Sequence, residues 1–419
     1  MAMDHVAAHN ASAPGTKYSY RRRSPEDSLL RRIFVQQWPT LQRELREAND
    51  GRGLPKFLTK AVDGFIGCGV LSKGFLRLYC QDCKTDQLVA FSCKSRGICA
   101  SCDGRRMVEL GAHICDSVIG AVPVRQFVVT LPPNLRYVLS WNAELRGKVL
   151  KAVMTALRNH YLPYGLLTGG ADPQFAAISV LQRFSGSIRL WPHWHILAAD
   201  GTWVKAADGQ RIFAPAPLLD DMALTVLVAD IAERATRVID RHFEKRRAAG
   251  RDDDEDPWQA AEPALANLMR QSLFGKDELE ALQPPKHIGI AAVPPPRKVG
   301  RLCMEEAGFN VHAATRVHEC ARDRLEHLVR YVCRPVIAAK RLEEVGADRV
   351  RIWLKNEWKG GKNAVVMSRR DLAARVLAQI PLPRRASVRY HGLWAPAARD
   401  RALVVPALGA RVEHNRRKG

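Results

Sequence analysis

The sequence lacks long apolar segments: nowhere do 18 apolar residues follow one another, so no segment is predicted to cross a membrane as a helix. Residues 1–17 are polar and lack the apolar core of a secretory signal. No internal repeat and no basic amphipathic membrane anchor are visible. These absences predict a cytoplasmic protein of the bacterial type, without a membrane partner.

Acidic residues are few relative to basic ones: 43 Asp and Glu stand against 65 Lys and Arg, for a formal net charge of +22. This charge predicts attraction to polyanions, of which nucleic acid is the commonest, and would keep the protein at the nucleoid. A basic protein from a high-arginine proteome is the alternative. With 419 residues, 47% of them hydrophobic, the chain can form two or three domains with buried cores.

Hydrophobic periodicity predicts both helices and strands. Residues 28–48 are predicted to be a helix that Pro39 kinks or splits, before a turn at residues 49–51. The other predicted helices are residues 143–162, 220–247 and 318–334. The predicted strands are Val124–Leu131, Ile178–Phe184 and His193–Ala199. The predicted loops are residues 185–187, 251–257 and 283–300.

Cysteine is unevenly distributed: seven of the ten cysteines lie between Cys68 and Cys115. Without a secretory signal, such a cluster is more typical of a metal site than of disulfides. The strongest pattern is a pair of Cys-x2-Cys knuckles, whose four thiolates could bind one zinc ion tetrahedrally. The four cysteines of this predicted site are Cys80, Cys83, Cys99 and Cys102.

Two further cysteines, Cys68 and Cys93, leave the ligand set open. They could replace a member of the quartet, help to bind a second metal, or pack as small apolar residues. The zinc is expected to be structural, because a module this small buries little surface. Basic residues beside the knuckles are candidates for phosphate contacts, although they could also simply be solvated. These residues are Lys94, Arg96, Arg105 and Arg106.

A second constellation is the strand around His193 and His195. Residues i and i+2 of a strand point to one face, so the two imidazoles form half of a site for a divalent metal ion. Gln182 is the candidate third ligand, because its strand is expected to pair with this one and its amide oxygen is a hard ligand. Taken alone, the His-x-His pattern is a weak signal.

The third constellation is the helix that contains Tyr331. The tyrosine lies on the flank of an apolar stripe and could therefore reach a cleft. Pro335 is expected to bend or end the helix just after it, and Arg330 and Arg334 place positive charge on either side. An ordinary half-buried tyrosine is the alternative.

Together, these constellations resemble the HUH-endonuclease transposases of rolling-circle insertion sequences, which comprise the insertion-sequence-ninety-one family and its common-region relatives. The resemblance spans residues 60–407 and includes four separate blocks in the family's order. The blocks are Phe91-Ser92-Cys93 through Arg105-Arg106-Met107, Gln182-Arg183-Phe184 through His193-Trp194-His195 and Asp200-Gly201, Arg330-Tyr331 through Arg341-Leu342, and Arg389-Tyr390-His391-Gly392 through Val405-Pro406. Some members carry a second tyrosine four residues on, where this chain has Pro335, so it resembles the single-tyrosine branch.

The resemblance implies an α+β fold, in which helices back an antiparallel sheet with the His-x-His strand at its centre. It implies that Tyr331 attacks single-stranded or locally melted DNA at the transposon ends and forms a 5′-phosphotyrosine. A catalytic Mg²⁺ or Mn²⁺ ion would be held by His193, His195 and Gln182, with Mn²⁺ bound more tightly because imidazole suits it better. Arg330, Arg334 and Arg389 would contact DNA, and host replication proteins would extend the freed strand.

The resemblance also suggests four regions. They are an N-terminal arm and helix at residues 1–54, a zinc-ribbon-like module at 55–118, the single-strand nuclease core at 119–345, and a basic C-terminal region at 346–419. Two alternatives stay open. A plasmid relaxase or replication initiator would share the chemistry, whereas a zinc-ribbon DNA-binding protein or a decayed transposase would have no catalytic activity.

Overall fold

The computed structural model describes residues 24–251, 256–274, 296–358 and 361–406. Outside these ranges lie residues 1–23 of the predicted N-terminal arm, residues 252–255 of the predicted loop at 251–257, most of the predicted loop at 283–300, and the chain from residue 407. Among the described helices, none combines the length and the apolar character that crossing a membrane requires.

The helices confirm the predicted helical segments and add several that periodicity alone did not reveal. They are α1 (Leu29–Glu47), α2 (Lys56–Ile66), α3 (Ala100–Ser117), α4 (Arg136–Trp141), α5 (Ala143–Leu167), α6 (Asp221–Ala248), α7 (Pro257–Ala261), α8 (Pro263–Phe274), α9 (Arg322–Val332) and α10 (Arg369–Gln379). Helix α1 runs through Pro39, so the proline does not split it. Helix α9 ends three residues before Pro335, as the sequence predicts.

The three predicted strands are also confirmed, as β3, β5 and β6. In chain order the strands are β1 (Phe75–Tyr79), β2 (Asp86–Ala90), β3 (Val124–Thr130), β4 (Ala171–Gln174), β5 (Ala176–Phe184), β6 (Leu190–Ala199), β7 (Gly201–Lys205), β8 (Arg211–Pro215), β9 (Arg297–Gly300), β10 (Cys303–Glu306), β11 (Phe309–Val317), β12 (Leu342–Val345), β13 (Arg349–Trp358), β14 (Lys362–Ser368) and β15 (Val388–Gly392).

The central sheet has the order β15-β5-β6-β3-β11-β10-β9, and each pair of neighbours is antiparallel. The predicted α+β class with an antiparallel sheet is therefore confirmed, and β6 lies near its centre. In the register of this sheet, Gln182 of β5 stands opposite His193 of β6, and Val128 of β3 stands opposite His195.

The two faces of the central sheet pack against different helices. One face carries Trp194 and Ile196 and packs with α5 and α6. The other face carries Ile178 and Leu197 and packs with α3 and α9. Because side chains alternate along a strand, His193 and His195 belong to the second face, together with Leu197. The sheet therefore turns both imidazoles toward the side that α9 covers.

A separate core packs the first two helices of the described chain against elements that follow residue 262. It contains buried residues of α1, α2, α8, α10, β13 and β14. The predicted boundaries at residues 54 and 346 therefore separate segments that share one hydrophobic core, because α1 packs on α10. In the central sheet, Gly392 of β15 has a φ of +57°, and a Cβ there would lie 1.7 Å from the carbonyl oxygen of Phe175. Only glycine fits this close approach.

A buried ionic network fixes the end of β6. The Asp200 carboxylate is 1% exposed and accepts hydrogen bonds from Arg125 at 2.9 and 3.1 Å. It also accepts from Arg316 at 2.6 Å and from the Tyr161 hydroxyl at 2.8 Å. The resemblance grouped Asp200 with the metal-binding block, but its contacts are with these neighbours and join β3, β11 and α5 to β6.

We expect Asp200→Asn to destabilise the fold by about 3–5 kcal/mol, because it leaves the buried Arg125 guanidinium without its counter-charge. The measurement is the free energy of unfolding in urea. Glu109→Gln is the matched control, since Glu109 forms only an exposed ion pair with Arg105. An Asp200→Asn variant as stable as this control would contradict the structural role of the network.

Candidate catalytic and zinc-binding sites

The two histidines of β6 point the Nε2 atoms of their rings toward each other. The Nε2 atoms of His193 and His195 lie 3.2 Å apart. His193 Nδ1 donates to the carbonyl oxygen of Trp191 at 2.7 Å, and His195 Nδ1 lies 2.7 Å from the side-chain amide of Gln126. The bond that His193 Nδ1 donates orients this imidazole and leaves its Nε2 available as a ligand, whereas His195 Nε2 is available only in the tautomer that carries the proton on Nδ1.

The electrostatics of the pair suit a metal ion. Burial lowers the pKa of His193 to about 4 and that of His195 to about 3, so both rings are neutral at physiological pH and keep a lone pair. Two nitrogens that bind one ion at about 2.1 Å lie about 3.0–3.4 Å apart. The observed separation of the Nε2 atoms, 3.2 Å, falls within this range.

Gln182 links the histidine strand to α9. Its Nε2 donates to the carbonyl oxygen of Val332 at 2.6 Å and, more weakly, to that of Tyr331 at 3.4 Å. Its Oε1 is buried and has no hydrogen-bond partner among the described residues. A buried amide oxygen without a partner is costly, and a cation is one partner that could satisfy it. Gln182 therefore fits the predicted role of third ligand chemically.

The structure brings Tyr331 to the histidine pair. The rings of Tyr331 and His195 meet edge to face, with centroids 5.9 Å apart and planes at 88°. Tyr331 is half-buried, and it lines one open cavity together with His193, His195 and Arg334. Because α9 ends at Val332, the tyrosine occupies the last turn of the helix rather than its packed middle.

Two cations lie against the Tyr331 ring. The Arg334 guanidinium carbon is 4.8 Å from the ring centroid, and Lys355 Nζ is 4.1 Å from it. Arg334 was predicted from the sequence, whereas Lys355 was not. Lys355 comes from β13, in a different sheet, so no local pattern around the tyrosine could indicate it. These positions place two positive charges against the face of the tyrosine ring.

His312 is a second residue that the sequence analysis missed. It stands opposite Val128 of β3, which in turn stands opposite His195, so His312 and His195 share a face across three strands. His312 lines the same cavity. Within the described ranges, however, no third His, Cys, Asp or Glu has a ligand atom within 4.8 Å of both β6 imidazoles. His312 therefore lines the cavity without joining the pair of imidazoles on β6.

The cysteine cluster differs from the predicted quartet. The residues whose Sγ atoms gather within 4.8 Å are Cys68, Cys93, Cys99 and Cys102. Measured Sγ–Sγ separations in this group are 3.8, 3.9 and 3.7 Å. Four sulfurs bound tetrahedrally at about 2.3 Å lie about 3.8 Å apart, so the group has the dimensions of a zinc site. Thiol hydrogen bonds from the other three, Cys102 foremost, lower the pKa of Cys68 and favour its thiolate.

The hairpin of β1 and β2 explains the difference. Cys68 and Cys93 flank the base of this hairpin, where Gly69 N donates to the carbonyl oxygen of Phe91 at 3.0 Å. Cys80 and Cys83 lie in its exposed tip, just after β1. A strand of five residues separates base from tip by about 17 Å. The tip cysteines therefore cannot join Cys99 and Cys102 while the hairpin is formed.

The basic residues of the zinc module have mixed surroundings. Arg105 is exposed and pairs with Glu109, whereas Arg106 pairs with Asp103 and donates to the carbonyl oxygen of Lys94. Arg96 donates to the carbonyl oxygen of Arg385 at 3.0 Å. The Lys94 side chain is exposed. Arg105 and Lys94 are thus the most accessible of the predicted DNA contacts in this module.

Two family models match the chain. Residues 176–402, more than half of the chain, match the model described as "Putative transposase", and this match contains β5, β6, α9 and β15. Residues 33–131 match the model described as the "Transposase zinc-binding domain" of the IS91 type, which contains the cysteine cluster. No curated protein and no solved structure matches. The chain therefore belongs to the family of IS91-type transposases, which are DNA-processing enzymes that bind DNA and zinc.

We expect Cys93→Ser to lose the bound zinc, because it removes one sulfur from the buried group of four. The double variant Cys80→Ser, Cys83→Ser is expected to keep one zinc per chain. The measurement is zinc content by atomic emission after dialysis against a metal-buffered solution. If the double variant lost zinc and Cys93→Ser kept it, the ligands would instead be the four cysteines predicted from the two knuckles.

Proposed function

We propose that this transposase nicks and rejoins single-stranded DNA at the ends of a rolling-circle element through a 5′-phosphotyrosine on Tyr331. The observation that carries the proposal is the contact between the Tyr331 and His195 rings, with centroids 5.9 Å apart. In this arrangement the proposed nucleophile lies beside two neutral imidazoles and lines the same open cavity. A tyrosine that only filled the hydrophobic core would not be expected to line this cavity.

His193, His195 and Gln182 are the residues that would hold a catalytic Mg²⁺ or Mn²⁺ ion. When bound, such an ion polarises the scissile phosphate and stabilises the charge that develops on it. The protein's own contribution is orientation: Trp191 and Gln126 fix the imidazoles, and the Gln182 amide bonds to the end of α9. In this proposal, the strand that carries Gln182 therefore also holds the end of α9, and with it Tyr331, next to the ligands.

The proposed step exchanges one phosphate ester for another. The phenolate oxygen of Tyr331 forms a bond to phosphorus, and the bond from phosphorus to the 3′ oxygen breaks. The departing 3′ oxygen takes up a proton and becomes a 3′-OH, while the 5′ phosphate stays on the tyrosine. Arg334 and Lys355 lie against the ring, so positive charge stands next to the site of attack. Because the covalent link keeps the energy of the phosphodiester, rejoining needs no ATP, and the free 3′-OH can be extended by host replication proteins.

A single-stranded or locally melted substrate suits the cavity. Its lining includes Trp191, which is partly exposed, while the buried Arg136 guanidinium lies 3.4 Å from the centroid of the Trp191 ring. Unpaired bases can stack on the exposed part of an aromatic ring, whereas paired bases cannot. Trp194, by contrast, is 2% exposed and belongs to the core.

The single-tyrosine interpretation of the site also belongs to this proposal. Tyr331 is the only tyrosine on α9, and the helix ends before Pro335. A second attack from the same helix therefore has no candidate residue. Strand transfer would then proceed by attack of a free 3′-OH on the one phosphotyrosine.

We expect Tyr331→Phe to abolish the covalent adduct between the protein and single-stranded DNA from the element's ends in the presence of Mn²⁺, because it removes the nucleophilic oxygen. The measurement is the slower-migrating adduct on a denaturing gel, with the modified residue located by mass spectrometry. Tyr390→Phe is the matched control, since Tyr390 lies on β15 of the central sheet, and this variant should retain the adduct. A Tyr331→Phe protein that still forms the adduct would refute the assignment, and a wild-type protein that binds without any adduct would favour the non-catalytic alternative.

We expect adduct formation with either ion, and at lower concentrations of Mn²⁺ than of Mg²⁺, because imidazole nitrogen is a better ligand for Mn²⁺. His195→Ala should reduce the rate at every concentration of either ion. The measurement is adduct yield across a titration of each ion. His113→Ala, an exposed change on α3, should behave as wild type. If His195→Ala and the wild-type protein gave the same adduct yield at each ion concentration, the imidazole pair would not be the metal site.

A further inference from the structure

A cleft follows the edge of the central sheet where β15 stops covering β5. The pairing of these strands begins at Val388 and Val180, and one more bond joins Leu181 N to the carbonyl oxygen of Ser387 at 2.8 Å. Beyond this point the end of β5 borders two adjoining cavities, which share Arg146, Leu181 and Arg385 in their walls. We call this region the edge cleft and define it by four guanidiniums: Arg146, Arg183, Arg385 and Arg389.

The positive charge of the edge cleft has no acidic counterpart. Arg146 donates to the carbonyl oxygens of Leu139 and Ser140, and Arg183 donates to those of Ser140 and Ala378. In the described parts of the chain, none of the four guanidiniums forms an ion pair with a carboxylate. The one acidic residue in the walls of the two cavities is Asp103, and it already pairs with Arg106.

Burial and mutual repulsion lower the pKa of two of these guanidiniums. Burial, followed by the positive charges of Arg389 and Arg385, lowers the pKa of Arg146 to about 10. Burial, followed by the charge of Arg146, lowers the pKa of Arg183 to about 9. In addition, Arg183 Nε is buried and has no hydrogen-bond partner among the described residues. A group of like charges with an unused donor favours an anion as its missing partner.

The edge cleft adjoins the catalytic cavity. Gln182 and Arg183 are successive residues of β5 and therefore point to opposite faces of the sheet. Phe184 and Arg334 line both the catalytic cavity and the larger part of the edge cleft. A strand of DNA that passed Arg334 on leaving Tyr331 would therefore come next to the edge cleft.

We propose that the edge cleft binds the phosphodiester backbone of the same single strand, at a phosphate other than the scissile one, as the strand turns around the edge of the sheet. This inference rests on the proposed function, because it takes the strand to start at Tyr331. Planar guanidiniums recognise phosphates through paired hydrogen bonds, and Arg385 and Arg389 are exposed at the mouth of the cleft to make them.

Gly147 of α5 keeps the cleft open. A Cβ at this position would lie 3.6 Å from Arg389 Nη1, which is an ordinary contact. Alanine should therefore fit without displacing the arginine, whereas a longer side chain would extend into the space that Arg146, Arg385 and Arg389 surround. The glycine thus offers a way to block the cleft without removing any charge.

The test measures binding of fluorescent oligothymidylates of about 6 and about 25 nucleotides by anisotropy, since single-strand sites span about 4–16 nucleotides. We expect the double variant Arg385→Gln, Arg389→Gln to bind the longer strand about tenfold more weakly. Its plot of log affinity against log salt should be shallower by about 0.7 for each phosphate that the variant no longer neutralises. The shorter strand, which reaches only one of the two sites, should lose less affinity. Arg158→Gln, an exposed change on the same helix as Arg146, is the control.

Gly147→Leu should weaken binding of the longer strand in the same way, while Gly147→Ala should not. Equal losses in the double variant and in Arg158→Gln would overturn the proposal, as would an equal loss of affinity for duplex DNA. The outcome is separable from that of the proposed function. If the wild-type protein forms no adduct, the length-dependent loss of binding still tests the cleft; if the cleft variants bind normally, a Tyr331 adduct still supports the catalytic proposal.

Discussion

The hydrogen bond from the Gln182 amide to the carbonyl oxygen of Val332, 2.6 Å long, is the constraint on which the site depends. It fixes the last turn of α9 to β5, and β5 is fixed to the histidine strand by the register that sets Gln182 opposite His193. Tyr331 precedes Val332 in the chain, so these contacts hold its ring next to that of His195. A change in this register by one residue would turn the imidazoles to the other face of the sheet.

The zinc module contributes to the same arrangement from outside the sheet. Its helix α3 packs beside α9, and the knuckle at Gly97 lies against the end of α10, where a Cβ on the glycine would be 3.1 Å from the carbonyl oxygen of Gln379. The zinc cluster thus supports one wall of the edge cleft, which Arg96 and Arg106 also line. The cysteine cluster and the helix that carries Tyr331 are in this way linked by the packing of α3 against α9.

Much of the site follows from local sequence patterns, because alternation along β6 and the proline after α9 act within a few residues. The cysteine ligands could not be assigned in this way, since the spacing of the two knuckles does not reveal that Cys80 and Cys83 lie at the tip of a hairpin. A clue was nevertheless present: Cys68 and Cys93 stand at similar distances before and after the tip, as residues that meet at a hairpin's base must. Lys355 carried no such clue, because it reaches Tyr331 from another sheet.

The proposed chemistry requires the Tyr331 phenol to lie beside a cation held by the β6 imidazoles, and fluorine NMR of protein labelled with 3-fluorotyrosine tests this requirement most directly. The chain has eight tyrosines, and the Tyr331 signal is assigned as the one missing from Tyr331→Phe. We predict that Mn²⁺ broadens this signal while that of Tyr79, on the zinc-module hairpin, stays sharp, and that His195→Ala abolishes the effect. A Tyr331 signal that Mn²⁺ leaves as sharp as that of Tyr79 would contradict the proposed catalytic site.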